Sequence, residues 1–158
     1  MQLIKICLLF ILVYAVSSCN KGDGDSENDE KATLVFGHYY SECGGEACIE
    51  TFKLTNTELS EDLNDPYAGN GTFDFELLPQ EKFDLVDGLI SEIPSELLTA
   101  DDQTFGCPDC GDWGGIFVSW SEDGKVQKWN IDMINDSNPA YLREFVDSIN
   151  EKIQLINN

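Results

Sequence analysis

Four cysteines at two short spacings are the residues with the clearest potential chemistry. Cys43 and Cys48 are separated by four residues, and Cys107 and Cys110 enclose a Pro-Asp pair. In an oxidising compartment an even number of cysteines predicts disulfides, and four cysteines allow three pairings. We favour the local pairs, Cys43–Cys48 and Cys107–Cys110. Each would close a short loop and therefore stabilise the chain only modestly.

The same cysteines have two other uses. Two short pairs far apart in sequence resemble a structural zinc site, in which four thiolates bind the metal. A Cys-x-x-Cys motif can also be a redox site when a helix begins at its first thiolate. Here residues 111–115 (GDWGG) and then a predicted strand follow the motif, so that helix is absent. We therefore predict disulfides, no metal and no other cofactor. Zinc is the alternative, with the ligands Cys43, Cys48, Cys107 and Cys110.

Candidates for acid–base catalysis are few. His38 is the single histidine of the sequence, and it lies inside a predicted strand, where hydrogen bonding within the sheet is its expected role. Glu46, Asp109 and Asp112 flank the cysteine loops and could face one cleft, as a carboxylate pair for glycoside hydrolysis requires. Scattered acids on an acidic chain are more often a solvated surface. We predict no catalytic residue and no enzyme, with a hydrolase as the weakest alternative.

A further cysteine, Cys19, indicates the location of the protein. Residues 3–16 are apolar apart from Lys5, which is too short a stretch to span a bilayer but typical of a secretory signal. Val16-Ser17-Ser18-Cys19 resembles the bacterial lipobox, in which the cysteine becomes the lipidated first residue of the mature chain. We expect residues 1–18 to be a signal peptide. Cys19 would carry fatty acyl chains such as palmitate, since stable attachment needs more than one chain.

Residues 19–31 have the composition of a tether. Gly, Ser and acidic residues dominate them and cannot bury enough apolar area to offset the entropy of ordering. Asn20 differs from the Asp that resembles an inner-membrane retention signal. The acidic run after it resembles the surface-export signal of lipoproteins in the Bacteroidota, and a plain polar spacer is the alternative. We therefore expect an outer-membrane lipoprotein of the cell envelope, exposed on the cell surface.

The charge of the chain limits its partners. Without residues 1–18 it keeps all thirty acidic residues and eight of the nine basic ones, a formal charge of −22. Such a field repels nucleic acid and anionic lipid headgroups, which bind lysine and arginine. It favours a basic protein or divalent cations instead, although solubility alone would also explain it. We expect attachment to the membrane through the lipid anchor and no binding of nucleic acid.

Residues 32–158 are enough for one domain with its own core. We predict an α+β fold, with an antiparallel sheet of about five or six strands and two helices packed on one face. The predicted strands are 33–40, 49–54, 56–62, 73–78 and the hairpin 115–132. The predicted helices are 79–93 and 139–156.

The hairpin and the last helix have the strongest local patterns. Asp123-Gly124 is a typical two-residue hairpin turn. It sets Glu122 opposite Lys125, Val118 opposite Trp129, and Ile116 opposite Ile131, which pairs opposite charges and matched apolar residues. Asn138-Pro139 predicts a capped helix start. The apolar stripe that follows has helical spacing and consists of Leu142, Phe145, Val146, Ile149, Ile153 and Ile156.

The two halves of the domain share a faint order of features. Each has Phe-Gly, a cysteine pair, Gly-Gly, two strands and a helix, with Phe36-Gly37 beginning the first half and Phe105-Gly106 the second. This order raises the hypothesis of a ββα pseudo-repeat.

The segments FGHYYSECGGEACIETFKL, FGCPDCGDWGG and PAYLREFVDSINEKIQLIN resemble a group of uncharacterised small lipoproteins of flavobacteria, in the Bacteroidota. The resemblance spans essentially the whole domain and implies lineage and location but no assigned activity. We therefore expect a membrane-anchored envelope or cell-surface lipoprotein with a small acidic binding or structural domain. The alternative is an inhibitor or immunity-type lipoprotein that captures a basic protein.

Overall fold

In the computed structural model, which describes residues 32–44, 46–101 and 103–158, the strands form one sheet. The predictions for the signal peptide, Cys19 and the tether lie outside these residues. The order across the sheet is β4-β3-β2-β1-β6-β7-β5. In chain order the strands are β1 (Thr33–Tyr39), β2 (Ile49–Leu54), β3 (Leu59–Asp62), β4 (Phe75–Leu77), β5 (Thr104–Phe105), β6 (Gly115–Glu122) and β7 (Lys125–Asp132).

The α+β class is confirmed, but the sheet is larger than predicted and mixed. It has seven strands, and β5 runs parallel to β7 while the other neighbouring strands are antiparallel. The expectation of five or six antiparallel strands was therefore wrong at this edge. β5 has two residues, which is too short for an alternating pattern to reveal it.

The β6–β7 hairpin is confirmed in its turn and register. Asp123 and Gly124 have φ angles of 50° and 73°, as the predicted turn requires. Glu122 pairs with Lys125, and the next two predicted pairs, Val118 with Trp129 and Ile116 with Ile131, also lie opposite each other.

The topology brings four loops to the same end of the sheet, which we call the loop end. Because neighbouring strands are antiparallel, β1, β3 and β7 finish where β2, β4 and β6 begin. The four connecting segments there are 40–48, 63–74, 106–114 and 133–138. The chain enters β1 at the other end, where Thr33 pairs with Ser121 next to the hairpin turn. Both cysteine loops therefore lie at the loop end.

Alternate residues of the central strands build the main core. Directly opposed residues such as Phe36 and Val118 share one face of the sheet. This face forms a single buried cluster with the apolar residues of the helical segments. A smaller cluster of Tyr39, Ala68 and Phe117 lies on alternate positions of the same strands and in the 63–74 loop.

The C-terminal helix is confirmed and begins one residue later than predicted. Helix α3 spans Ala140–Ile156 and buries all six residues of the predicted stripe. Pro139 occupies its N-cap position without a side-chain cap. The predicted cap, Asn138, is instead buried, and its side chain donates to the Asp132 carbonyl over 2.6 Å.

The predicted helix 79–93 was wrong as one continuous element. Helix α1 covers Gln80–Phe83, a 3₁₀ turn covers Leu89–Glu92, and helix α2 covers Ser95–Leu98 after Pro94. Gly88 lies in the middle of the predicted span, where glycine costs about 1 kcal/mol relative to alanine. The apolar spacing that predicted this helix still marked core positions: Val86 is fully buried, and Phe83, Ile90 and Ile93 are partly buried against the main core.

The two halves differ in strand pairing. β1 and β2 are adjacent and antiparallel, whereas β5 pairs with β7 rather than with the β6 that follows it. The two strands that follow each glycine pair are nevertheless antiparallel neighbours in both halves, β2 with β3 and β6 with β7, so the ββα pseudo-repeat stays a hypothesis. Among the residues that the structure describes, every helix lacks either the length or the apolar content needed to cross a bilayer.

Candidate functional site

The two cysteine loops are neighbours at the loop end. Cys43 is bonded to Cys48 and Cys107 to Cys110, with Cα–Cα distances of 5.6 and 5.5 Å. These are the local pairs favoured from the sequence. Within the described ranges, no group of three or more His, Cys, Asp or Glu side chains is placed to hold a metal ion, so the four cysteines do not form the cluster that the zinc alternative requires.

The carboxylate of Asp109 connects three of the four loops. It accepts the Ser41 backbone N–H over 2.8 Å, the Tyr67 hydroxyl over 2.7 Å and the Gly114 backbone N–H over 3.0 Å. Burial alone would raise the pKa of Asp109, but the hydrogen bonds from Tyr67, Ser41 and Gly114 together lower it below its ordinary value. Asp109 is thus a charged structural acceptor rather than a free acid.

The fourth loop joins the same assembly through two contacts. Asp132, at the end of β7, is buried and accepts the Cys107 backbone N–H over 3.0 Å. The Tyr40 hydroxyl donates to the Met133 sulfur over 3.1 Å. All four loops at this end are therefore held to one another by contacts between residues distant in sequence.

Segment 106–114 has an unusual backbone. Five of its residues have positive φ: Gly106 (70°), Asp109 (59°), Gly111 (69°), Asp112 (64°) and Gly114 (83°). A non-glycine residue in this region costs roughly 1–2 kcal/mol. Such conformations persist where the surroundings over-determine them, and they cluster at functional sites. The disulfide and the Asp109 N–H bond to the Gly114 carbonyl, 2.9 Å long, supply that constraint.

This constrained segment presents a tryptophan to solvent. The side chain of Trp113 is 63% exposed, whereas Trp120 and Trp129 are buried at 8% and 1%. Tyr67, whose hydroxyl binds Asp109, is also exposed on the neighbouring loop. Large exposed aromatic side chains on a rigid backbone are typical anchors of protein–protein interfaces.

The four loops are acidic throughout. Segments 40–48, 63–74, 106–114 and 133–138 contain seven carboxylates and no lysine or arginine. The acidic residues are Glu42, Glu46, Asp65, Asp74, Asp109, Asp112 and Asp136. The four segments themselves therefore carry only negative charge, and Arg143 of α3 reaches the edge of this end by donating to the Asn138 carbonyl over 3.4 Å.

His38 lies in a structural network, separate from Asp109. Its Nε2 atom is 3.1 Å from Glu50 Oε2 and 3.2 Å from the Ala47 carbonyl oxygen. Glu50 also accepts the Asn157 amide N–H groups, which ties β2 to the end of α3. Burial raises the pKa of Glu50, but the hydrogen bonds from His38 and Asn157 outweigh it and lower that pKa.

Among the residues that the structure describes, two candidates for acid–base catalysis are engaged in separate hydrogen-bonding networks. His38 pairs with Glu50, and Asp109 binds Ser41 and Tyr67. The side chain of Glu46 is outside the described part of the chain. A pocket of about 100 Å³ lies at the hairpin end of the sheet. It is lined by Leu98, Trp120, Glu122, Lys125 and Gln127.

The sequence analysis did not predict the two neighbouring carboxylates, Asp62 and Asp65, at the start of the 63–74 loop. Asp62 is buried, and its carboxylate accepts the backbone N–H groups of Asp65 and Asp74. The Oδ1 atom of Asp65 is buried and has no hydrogen-bond partner. Burial, together with the neighbouring carboxylates of Asp62, Glu61 and Glu50, raises the pKa of Asp65 to about 6 against a backbone hydrogen bond from Thr51.

The 63–74 loop packs on the sheet and thereby holds Tyr67 in place. Ala68 belongs to the small buried cluster with Phe117. The ring of Tyr67 packs edge-on against Tyr39 at 4.9 Å between centroids. A side chain at Gly69 would collide with the Phe117 ring. Close packing of the loop on the sheet thus requires the glycine.

Asp109→Asn should destabilise the protein at pH 7 by about 1–3 kcal/mol, since an acceptor of three hydrogen bonds loses its charge. Because the folded pKa of Asp109 is lowered, its stabilising effect is present above its ordinary pKa of about 3.9 and is lost as the pH falls through the folded value. Urea unfolding at pH 7 and pH 3 would measure this difference. Asp112→Asn is the control, since Asp112 has the same left-handed backbone without these hydrogen bonds. Equal losses in both variants would contradict the role of Asp109.

Asp65→Asn should stabilise the protein at pH 8 and have little effect at pH 4. The folded pKa of about 6 lies above the ordinary value of about 3.9, so ionised Asp65 disfavours the fold as the pH rises through 6. The expected gain at pH 8, discounted for partial exposure, is about 1–2 kcal/mol. Urea midpoints at both pH values would measure it.

Asp123→Asn is the control for Asp65→Asn, because Asp123 has a similar φ of 50° in the exposed hairpin turn. If Asp65→Asn had the same effect at both pH values, or the same effect as Asp123→Asn, backbone preference rather than charge would be its cause.

No protein-family model matches the chain, and neither does any curated protein sequence. The resemblance to flavobacterial lipoproteins, with the location that it implies, therefore stays a prediction.

Proposed function

We propose that this protein is a lipid-anchored outer-membrane lipoprotein whose domain binds a basic protein through the loop end. One observation carries the binding part. Four loops with seven carboxylates and no lysine or arginine meet at one end of the sheet, and one of them presents an exposed tryptophan. Opposite charge speeds encounter with a basic partner and rejects acidic ones. The rigid aromatic residue supplies the apolar contact that charge alone lacks.

The orientation of the domain relative to the proposed lipid anchor supports the same function. The chain enters β1 at the hairpin end, and the seven residues of that strand span about 23 Å. With Cys19 in the membrane, the loop end would lie at the opposite end of the sheet from the point where the tether joins it. We also infer that α3 and segment 80–98 cover one face of the sheet, since their buried residues share one cluster with alternate strand residues. The loop end would then stay open to a partner.

Binding of this kind serves an envelope assembly and an inhibitor or immunity-type role equally well. Both require an acidic surface that captures a basic protein outside the cell. The internal hydrogen bonds of Asp109 favour a binding role over catalysis at this end, because its carboxylate is already committed to Ser41, Tyr67 and Gly114.

The anchor is tested by Cys19→Ser in the native organism. The unchanged protein should partition with the membrane fraction, and mass spectrometry should find acyl chains on an N-terminal Cys19. The variant should lose both properties, since a single cysteine provides the attachment. Protease treatment of intact cells then separates the cell surface from the periplasm. An unmodified Cys19 or an uncleaved leader on the native protein would refute the anchor.

Capture of a basic partner is tested with two triple variants that remove equal charge. Glu42→Gln, Asp112→Asn and Asp136→Asn neutralise the loop end. Glu58→Gln, Glu122→Gln and Asp123→Asn neutralise exposed positions at the opposite end. The measurement is the amount of basic envelope protein that co-purifies with the lipidated chain, over a salt series. The loop-end triple should reduce capture several-fold, and salt should weaken it. Equal loss in both triples would show that only net charge matters and would contradict a defined surface.

A further inference from the structure

We infer that Trp113 is the main contact residue of the loop end and that it stacks on a lysine or arginine side chain of the partner. The inference rests on the proposed binding of a basic protein and adds the residue and the kind of contact. It is carried by the exposure of the indole, the rigidity of its loop and the charge around it.

The backbone that carries the indole is constrained. Trp113 lies between Asp112 and Gly114, which both have positive φ, in a segment closed by the Cys107–Cys110 disulfide. Asp109 and the Gly114 N–H fix the segment from within, and Asp132 fixes it from β7. Because the backbone is already ordered, a partner would lose little conformational freedom of this loop on binding.

The surroundings of the indole favour a cation over an apolar partner. The face of a tryptophan ring attracts a guanidinium or ammonium group. Asp112 adjoins Trp113 in sequence, and Asp109 keeps its negative charge because its pKa is lowered. Exposed Glu42 belongs to the loop that Asp109 binds through Ser41. An arginine or lysine at the ring would meet the π face and these carboxylates together.

The same chain already contains an internal contact of this type. Lys53 Nζ lies 4.7 Å from the centroid of the Phe75 ring at the edge of the sheet. Trp113 has no such cation supplied by the loop-end segments, which lack lysine and arginine. A partner would supply the cation from outside.

Quenching of tryptophan fluorescence in the unmodified protein tests the local preference. Trp120 and Trp129 are 8% and 1% exposed, so soluble quenchers report mainly on Trp113. Each quenching constant is divided by the constant of N-acetyltryptophanamide for the same ion. The normalised constant should be several-fold larger for caesium than for iodide, and this difference should shrink at high ionic strength. Trp113→Phe should remove the accessible component. Equal quenching by the two ions would overturn the cationic preference.

Peptide binding tests the contact itself. The probes are Ac-Gly-Arg-Gly-Arg-Gly-amide and its citrulline counterpart, which keeps the shape but lacks the charge, and binding is followed by NMR of the full chain. The arginine peptide should bind more tightly than the citrulline peptide. Trp113→Ala should weaken arginine binding by roughly three- to tenfold, and Trp113→Phe should restore part of it.

Val126→Ala is the matched control, since Val126 is 61% exposed at the opposite end, and it should leave binding unchanged. One outcome would refute the role of Trp113 but leave the proposed function standing: the loop-end triple variant loses capture of basic proteins, while Trp113→Ala binds the arginine peptide normally. The opposite outcome would support the role of Trp113 and refute the proposed function: Trp113→Ala loses peptide binding, while the loop-end triple variant captures basic proteins normally.

Discussion

One carboxylate joins three of the four loops at the loop end. Asp109 accepts hydrogen bonds from Ser41, Tyr67 and Gly114, and no disulfide links the loops that these residues occupy. Each disulfide closes only its own short loop, which contributes little loop-closure entropy. A charged acceptor with several donors is stronger than a neutral one. The relative placement of the loops therefore rests on electrostatics and hydrogen bonding rather than on covalent bonds.

Elements with strong local patterns could be predicted, and those defined by distant contacts could not. The β6–β7 hairpin and α3 follow from a turn dipeptide and a helical stripe. β5 has two residues and exists only because β7 offers an edge. The span 79–93 had apolar residues at helical spacing, but it contains Gly88 and forms short helical turns instead of one helix.

The site divides in the same way. The cysteines marked both loops from the sequence alone, and His38 was rightly expected to hydrogen-bond within the sheet. The link between Asp109 and Tyr67 joins residues 42 positions apart, and no local pattern reports such a contact. Asp65 was equally hidden, because its raised pKa arises from burial beside Asp62 and other carboxylates that only the fold brings together.

The two edges of the sheet bear on crowding. β4 has three residues, so that edge offers few unpaired backbone groups. At the other edge β5 pairs with only Asn130 and Ile131 of the eight-residue β7, and two lysines, Lys125 and Lys128, lie on the part of β7 that it leaves uncovered. Short edge strands and lysines on an edge both resist the strand-to-strand association that long apolar edges invite. The proposed lipid anchor would confine many copies of the protein to one membrane, where they could approach one another closely without joining their sheets. Repulsion between their negative charges, rather than aggregation, would then limit how densely they pack.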